Sequence, residues 1–150
     1  MKKQGFYHPK LNFALSTLGH GDVLFVSDGG YPTPVDDRRI DLAIAPNLPE
    51  VRPILALLKD EIFIEKIQIA GEMEHYNPLL YKWLVENFDG VEIDKIPHQP
   101  ELAQVAANAK WFVRTGAMDP WGNIALVCGV NWGLILAREG VNIPDEVIQN

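Results

Sequence analysis

The chain has 150 residues, 47% of them hydrophobic, and a formal net charge of -7. That is one domain's length with apolar content enough for a packed core, which excludes a disordered chain. The acidic balance, with basic residues together only at Lys2-Lys3 and Arg38-Arg39, argues against a nucleic-acid partner, and Cys128 as the single cysteine excludes an internal disulfide and disfavours a cysteine-based zinc site. Met1-Lys2-Lys3 does not lead into a long apolar segment, and no apolar run approaches the ~20 residues that cross a bilayer. A cytoplasmic protein with no membrane partner is the resulting expectation.

In chain order, Pro9 to Leu18 reads as a first helix, with Leu11, Leu15 and Leu18 on one face and Gly19 as its stop. Val23 to Ser27 follows as a strand buried on both faces. The chemistry-bearing residues crowd around it: His20 and Asp22 before, Asp28-Gly29-Gly30 after. Asp28 to Asp37 is a loop rich in Gly, Pro and Asp. Ile40 to Ala45 reads as a strand or extended segment, Glu50 to Leu58 as a helix, and Ile62 to Ala70 as an isoleucine-rich strand. Asn77-Pro78 caps a helix with Leu80, Trp83, Leu84 and Phe88 along one side. Val91 to Ile96 alternates as a strand does. Pro100 opens a helix with Leu102, Val105, Ala106 and Ala109 inward, and Trp111 to Val113 and Ile124 to Cys128 complete the strands. This alternation of helices and strands predicts an α/β fold with a largely parallel sheet covered on both faces. The domain is expected over residues 1–132, with residues 133–150 a C-terminal tail packed on it or on a neighbouring subunit.

Several residues can carry chemistry. His20, between two glycines, suits proton transfer near neutral pH or, in a purely structural role, stabilises a helix end. Asp28 can accept hydrogen bonds from substrate hydroxyls or simply form an Asx turn. Asp22 suits a role in holding the loop beside His20. His98 is a second acid/base or a loop residue. Asn123 stands directly before a buried strand, and Trp121 just upstream offers the flat apolar face on which a sugar ring packs; the alternative is a core tryptophan with a capping asparagine. Glu72 and His75 lack the second histidine of a zinc-protease helix, so they make a weak metal motif, and His8 has no evident partner. A metal hydrolase built on His20, Asp22, Asp28 and His98 has no ligand spacing behind it.

Taken in order, Leu18-Gly19-His20-Gly21-Asp22, Ser27-Asp28-Gly29-Gly30-Tyr31-Pro32, Arg39-Ile40-Asp41-Leu42-Ala43, Arg114-Thr115-Gly116 and Pro120-Trp121-Gly122-Asn123-Ile124 resemble the D-ribose pyranase and L-fucose mutarotase family, from about Lys3 to Trp132. The resemblance implies a three-layer α/β/α fold, a ring-shaped homo-oligomer, and an isomerase, free of metal and cofactor, that interconverts ring forms of a monosaccharide. It places the proton-donating histidine on His20 and the sugar-binding aspartate on Asp28. The second-site histidine falls on His98, or on Gln99 one position along, and the aromatic-small-Asn motif on Trp121, Gly122 and Asn123. Two departures stand out: Trp121 replaces the usual tyrosine, and Ala117 follows Arg114-Thr115-Gly116 in place of glutamate. Gly-His-Gly-Asp resembles the fucose branch, and Arg-Ile-Asp-Leu-Ala the ribose branch. The departures at Trp121 and Ala117 make a non-catalytic sugar-binding or regulatory protein of the same fold the alternative.

A distance argument adds one expectation. If the segment from His20 to Asp28 is straight, the two side chains lie ~20–25 Å apart, too far for one monosaccharide to touch both. Either the chain bends sharply at Gly21 or Gly29-Gly30, or the site is shared between subunits.

Overall fold

The computed structural model describes residues 2–142. Its elements are α1 (Pro9–Ser16), β1 (Val23–Ser27), β2 (Arg39–Asp41), α2 (Val51–Glu61), β3 (Ile64–Ala70), α3 (Met73–Tyr76), α4 (Pro78–Asn87), β4 (Glu92–Ile96), α5 (Ala103–Asn108), β5 (Trp111–Arg114), β6 (Ile124–Cys128) and α6 (Trp132–Leu136). The strands form one six-stranded sheet in the order β2-β5-β1-β6-β3-β4. β1 and β2 each pair in parallel with β5, and β3 pairs in parallel with β4. Only β6 runs against its neighbours β1 and β3. The sheet is therefore mostly parallel, as the helix–strand alternation predicts.

Side-chain alternation along the strands divides the core between the two faces. Leu24 and Val26 of β1 join Ile40, Ile67, Ile69, Val113, Ile124 and Leu126 under α1, α2 and α4, which contribute Leu11, Leu55, Leu58, Leu80 and Leu84. Phe25, Phe112, Ala70 and Ala125 face the other way, under Leu102, Ala106 and Ala109. Three layers result, and they are unequal. Three longer helices cover the first face, while six-residue α5 and the turn before it cover the second. Small alanines on both sides of that second contact allow a close approach.

Local chemistry sets the element ends. The His8 ring accepts the Leu11 amide at 3.2 Å and caps α1, which gives that histidine a structural role. Asn77 Oδ1 accepts from the Leu80 amide, and Pro78 occupies the first turn of α4. Several elements are shorter than the sequence pattern suggests, α1 and β2 among them. α1 ends at Ser16, because the Gly19 amide turns to donate to Asp22 Oδ2 at 2.6 Å. β2 ends at Asp41, whose carboxylate accepts from the Ala43 amide and turns the chain out of the sheet. α3 holds Glu74 and His75; the His75 ring lies edge-on to Tyr76 at 4.6 Å, and no cluster of potential metal ligands occurs among the described residues.

α6 carries no buried residue. Of the tail expected over 133–150, residues 143–150 lie outside the described residues. No helix among the described residues is long and apolar enough to cross a membrane.

Candidate functional site

The strand directions sort the candidate residues onto two opposite edges of the sheet. At the carboxyl edge, Asp28 leaves β1, Arg114 ends β5, His98 follows β4, and Trp121, Gly122 and Asn123 lead into antiparallel β6. Ligands of open α/β sheets bind outside that edge. At the other edge, His20 precedes β1, and Glu65 lies near the start of β3.

At the carboxyl edge, Asp28 and Asn123 hold each other. The Asp28 amide donates to Asn123 Oδ1 at 3.1 Å, and Asn123 Nδ2 donates to Asp28 Oδ2 at 3.0 Å. The pairing of Val26 with Ile124 brings these two together across the sheet, although 95 residues separate them in sequence. Asp28 Oδ1 also accepts from the amides of Gly30 and Tyr31 at 2.7 and 2.8 Å, the Asx turn its sequence context allows. The same carboxylate thus shapes the loop and borders a cavity.

That cavity, about 390 Å³, is lined by Asp28, Asn123, His98, Trp121, Tyr31 and Pro120, together with Gly30 and Pro32. It lies within the size range of small-molecule sites. His98 reaches it, and its ring lies edge-on to Tyr31 at 6.3 Å. Gln99 lines only the adjoining hollow of about 550 Å³ over α5. Trp121 stacks on Tyr76, with centroids 4.5 Å apart and planes 20° from parallel. Its backbone sits at φ 52, left-handed for a bulky residue. Such strain collects at sites where the surrounding structure over-determines the conformation. Gly122 does not line the cavity. A Cβ there would fall 2.6 Å from Asp119 Cβ, so the glycine serves the turn that presents Trp121. Asn77, at the start of α4, braces the same turn through Asp119 Oδ1 and the Pro120 carbonyl.

A second set of residues clamps the Asp28 loop, and sequence reading gave them no individual role. Arg114 donates to the Gly29 carbonyl through Nε and Nη2, at 3.2 and 2.8 Å, and reaches Asp41 through Nη1. Thr115 Oγ1 donates to the Ser27 carbonyl, and the Gly29 amide donates to the Ala117 carbonyl. Gly116 lies so close to the Ala45–Leu48 turn that a Cβ would fall 2.4 Å from the Ala45 oxygen. Burial pushes the Asp41 carboxyl upward, but bonds from Arg39 and Ala43 and the charges of Arg114 and Arg39 outweigh it, holding the group below the ordinary carboxylate value. Ala117 is fully buried in the larger core. The signal for this clamp was the motif order itself; what each residue grips follows from the loop packing.

Tyr31 was also missed as a cavity residue. Its ring packs between Phe25 and Phe112 on one side and His98 on the other. Burial, then the Asp28 charge, raises its pKa, so the phenol stays protonated and can donate.

His20 is outside this cavity. Its Nε2 lies 2.8 Å from Glu65 Oε2, and its ring is edge-on to Trp132 at 6.1 Å. Gly21, at φ +80, bends the chain before β1 and donates to the Cys128 carbonyl, which binds His20 to the far edge. Asp22 pairs with Lys110 at 2.6 Å and accepts from Gly19, and these bonds lower its pKa. Cys128, behind this corner, is pushed up to about 11 by burial, with the Asp22 and Glu65 charges adding to the shift. The paired strand runs without interruption between His20 and Asp28. By the rise of extended chain, about 20 Å separates Asp22 from Asp28.

The profile of the RbsD / FucU transport protein family matches residues 1–131. "D-ribose pyranase 2" of Rubrobacter xylanophilus is 49% identical over 145 residues, covering 97% of this chain and 94% of that protein. Among solved structures, Bacillus subtilis RbsD complexed with D-ribose superposes with a TM-score of 0.82 at 34% identity, over 88% of this chain and 100% of that one. The fucose mutarotase of Streptococcus pneumoniae, solved with L-fucose, shares the fold at a TM-score of 0.71, with 19% identity over 87% of this chain and 99% of its own.

Proposed function

Because the chain belongs to the RbsD / FucU family, we propose that it is an isomerase interconverting ring forms of a monosaccharide by acid/base catalysis, with ribose the leading substrate and fucose the second. The observation that carries the reading is the reciprocal Asp28–Asn123 pair on the wall of a cavity of about 390 Å³, with an indole and an imidazole facing the same space. A carboxylate and an amide hold hydroxyls, and a flat ring packs on a sugar face. Ribose takes precedence because relatives named for it stand at 49% and 34% identity, against 19% for the fucose mutarotase.

The chemistry asks little of the protein. The anomeric hydroxyl gives up a proton, the bond from the anomeric carbon to the ring oxygen breaks, and the ring oxygen takes a proton. The open aldehyde closes again by attack of a hydroxyl: the terminal one forms a six-membered ring, its neighbour a five-membered one. Histidine moves protons in both directions near neutral pH, a contribution of about 10²–10⁴-fold. His20 is assigned this role, and no metal or cofactor is needed for it. Asp28 and Asn123 hold hydroxyls, Trp121 stacks, and His98 is an auxiliary acid/base or hydroxyl ligand. The Tyr31 phenol offers an O–H that Trp121 lacks.

In this proposal His20 serves a cavity in a neighbouring copy. Its own chain's cavity lies at the opposite sheet edge, and exposed Phe63, Trp132 and Leu134 share the His20 edge, as a surface for self-association would have them. A closed ring of identical subunits repeats such a head-to-tail contact. In this reading the chain works in the cytoplasm as a ring-shaped homo-oligomer, and residues 1–132 form the catalytic domain. NMR exchange spectroscopy on a panel of aldoses tests the function: ring interconversion of ribose is expected to be faster with protein than in buffer. If no aldose exchanges faster while sugar still binds, a non-catalytic sugar-binding protein is the correct reading. His20→Ala is expected to remove most exchange and leave binding intact.

A further inference from the structure

We propose that Glu65 is the positioning residue of the reaction, accepting a hydrogen bond from His20 Nε2–H so that Nδ1 is the atom that trades protons with the sugar. The proposal rests on the assignment of His20 as the acid/base. Its geometric basis is the 2.8 Å contact between Nε2 and Glu65 Oε2, made across 45 residues of sequence. Three features of the backbone converge on that contact. The β3–β6 register shifts between Ile64 and Lys66, so Glu65 is the extra residue of a bulge. Bulges re-aim a side chain, and they recur next to active sites. Gly129, at the end of β6, leaves room for it: a Cβ there would lie 3.1 Å from Glu65 Cβ. The Gly21 and Gly129 amides then tie the His20 loop and the end of β6 to the start of β3, donating to the Cys128 and Phe63 carbonyls at 2.7 and 2.8 Å. Trp132 stands edge-on to the imidazole.

A histidine nitrogen engaged by a carboxylate fixes what the other nitrogen does. With Nε2–H on Glu65, bare Nδ1 takes the proton from the anomeric hydroxyl. The same proton passes to the ring oxygen as the bond to the anomeric carbon breaks and the aldehyde forms. Nothing is gained or lost, and the imidazole returns to its starting tautomer. The carboxylate steadies the transient imidazolium and keeps the ring from turning.

In the lone chain the His20 and Glu65 side chains are 51% and 38% exposed. A pair so wet contributes little to stability. It strengthens when a neighbouring subunit excludes water. Glu65 therefore matters to the reaction and hardly to folding, which makes substitution informative.

The test combines three variants with one direct observation. Glu65→Leu is expected to lower exchange at saturating ribose by about 10–100-fold, the range seen when the outer partner of a metal-ligating histidine is removed, while ribose affinity stays within about twofold. Glu65→Gln should recover much of that loss, because its amide oxygen still accepts from Nε2–H. Nitrogen-15 NMR of the His20 ring in the wild-type assembly should find Nε2 protonated and Nδ1 bare when the imidazole is neutral. The opposite tautomer overturns the proposal, and this measurement stands even if the leucine variant fails to fold. Wild-type exchange in Glu65→Leu, with His20→Ala inactive, overturns the role of Glu65 and leaves that of His20 intact. Full activity in His20→Ala removes both.

Discussion

At the scale of single residues, Asp28 has little freedom to change. Its two oxygens accept from Gly30, Tyr31 and Asn123, and its amide occupies the Asn123 oxygen. Asp28→Asn preserves shape but turns an amide donor toward the Asn123 amide donor. Asn123 cannot simply flip, because its oxygen is already committed to the Asp28 amide. Charge-assisted hydrogen bonds contribute about 1.5–3 kcal/mol, so Asp28→Asn should weaken ribose binding by roughly 10–150-fold; titration calorimetry reads this directly, and unchanged affinity would place the sugar elsewhere. Trp121 poses a different question, since one face of its indole is already stacked on Tyr76. If the remaining surface packs on sugar, Trp121→Ala loses affinity by about tenfold, from a stacking contribution of ~0.5–1.5 kcal/mol plus lost apolar burial. Trp121→Tyr then keeps most of it. Equal affinities in all three proteins would assign the indole to packing alone.

At the scale of elements, loops at both sheet edges depend on ion pairs that acid should loosen, Asp41 at the carboxyl edge and Asp22 at the other. The folded-state pKa values of Asp41 and Asp22 lie below their ordinary 3.8: for Asp41 the bonds and charges of its partners overcome the opposing effect of burial, and for Asp22 the Lys110 bond leads. Well above 3.8 both groups are ionised in the folded and unfolded chain, and their stabilisation is fully present. As pH falls through and below that value, the unfolded chain binds protons first, and the stabilisation is lost. The thermal midpoint should therefore drop between about pH 5 and pH 3, with a shallower drop in Asp41→Asn, as differential scanning fluorimetry at matched ionic strength would show. An equally steep drop in that variant would rule out Asp41 as a contributor. The same scale explains what the sequence revealed. β1 and β6 were legible to the residue because Val23–Val26 and Ile124–Cys128 are apolar runs, the first set between Asp22 and Ser27 and the second between Asn123 and Gly129. α2 and α4 were legible because their buried residues recur at helical spacing. α3 was not, since one four-residue turn carries no periodicity. The start of α5 was blurred because Gln99 is extended inside the turn His98–Leu102. The candidate site was legible as a set of residue types and motifs. Its division between two sheet edges was not, because the edge a residue occupies depends on the direction of β6 relative to β1, a pairing fixed by contacts about 100 residues apart.

At the scale of the whole molecule, that division makes a prediction about assembly. At the carboxyl edge Asp28, His98, Trp121 and Asn123 line one cavity, while His20, Glu65 and Trp132 form a separate group at the other edge of the same sheet. Gly21 does bend the chain, but the bend turns His20 toward Glu65 and Cys128, away from Asp28. A rigid sheet cannot fold its two edges together, so if His20 is the acid/base and Asp28 holds the sugar, one chain alone keeps the two apart. In the proposed head-to-tail assembly, each subunit would lend its His20 group to the next cavity. Mixing settles whether it operates. His20→Ala subunits and Asp28→Ala subunits are each expected to form inactive assemblies. After dissociation and random reassembly at equal amounts, about one head-to-tail contact in four should join an intact His20 to an intact Asp28 cavity, by the statistics of a heterologous ring. Ring exchange of ribose should return toward a quarter of the wild-type rate per contact. Mixed assemblies that form, as native mass spectrometry would verify, yet remain inactive would mean that both residues act within one chain, and the sheet would then have to open in a way its uninterrupted β1 pairing does not allow.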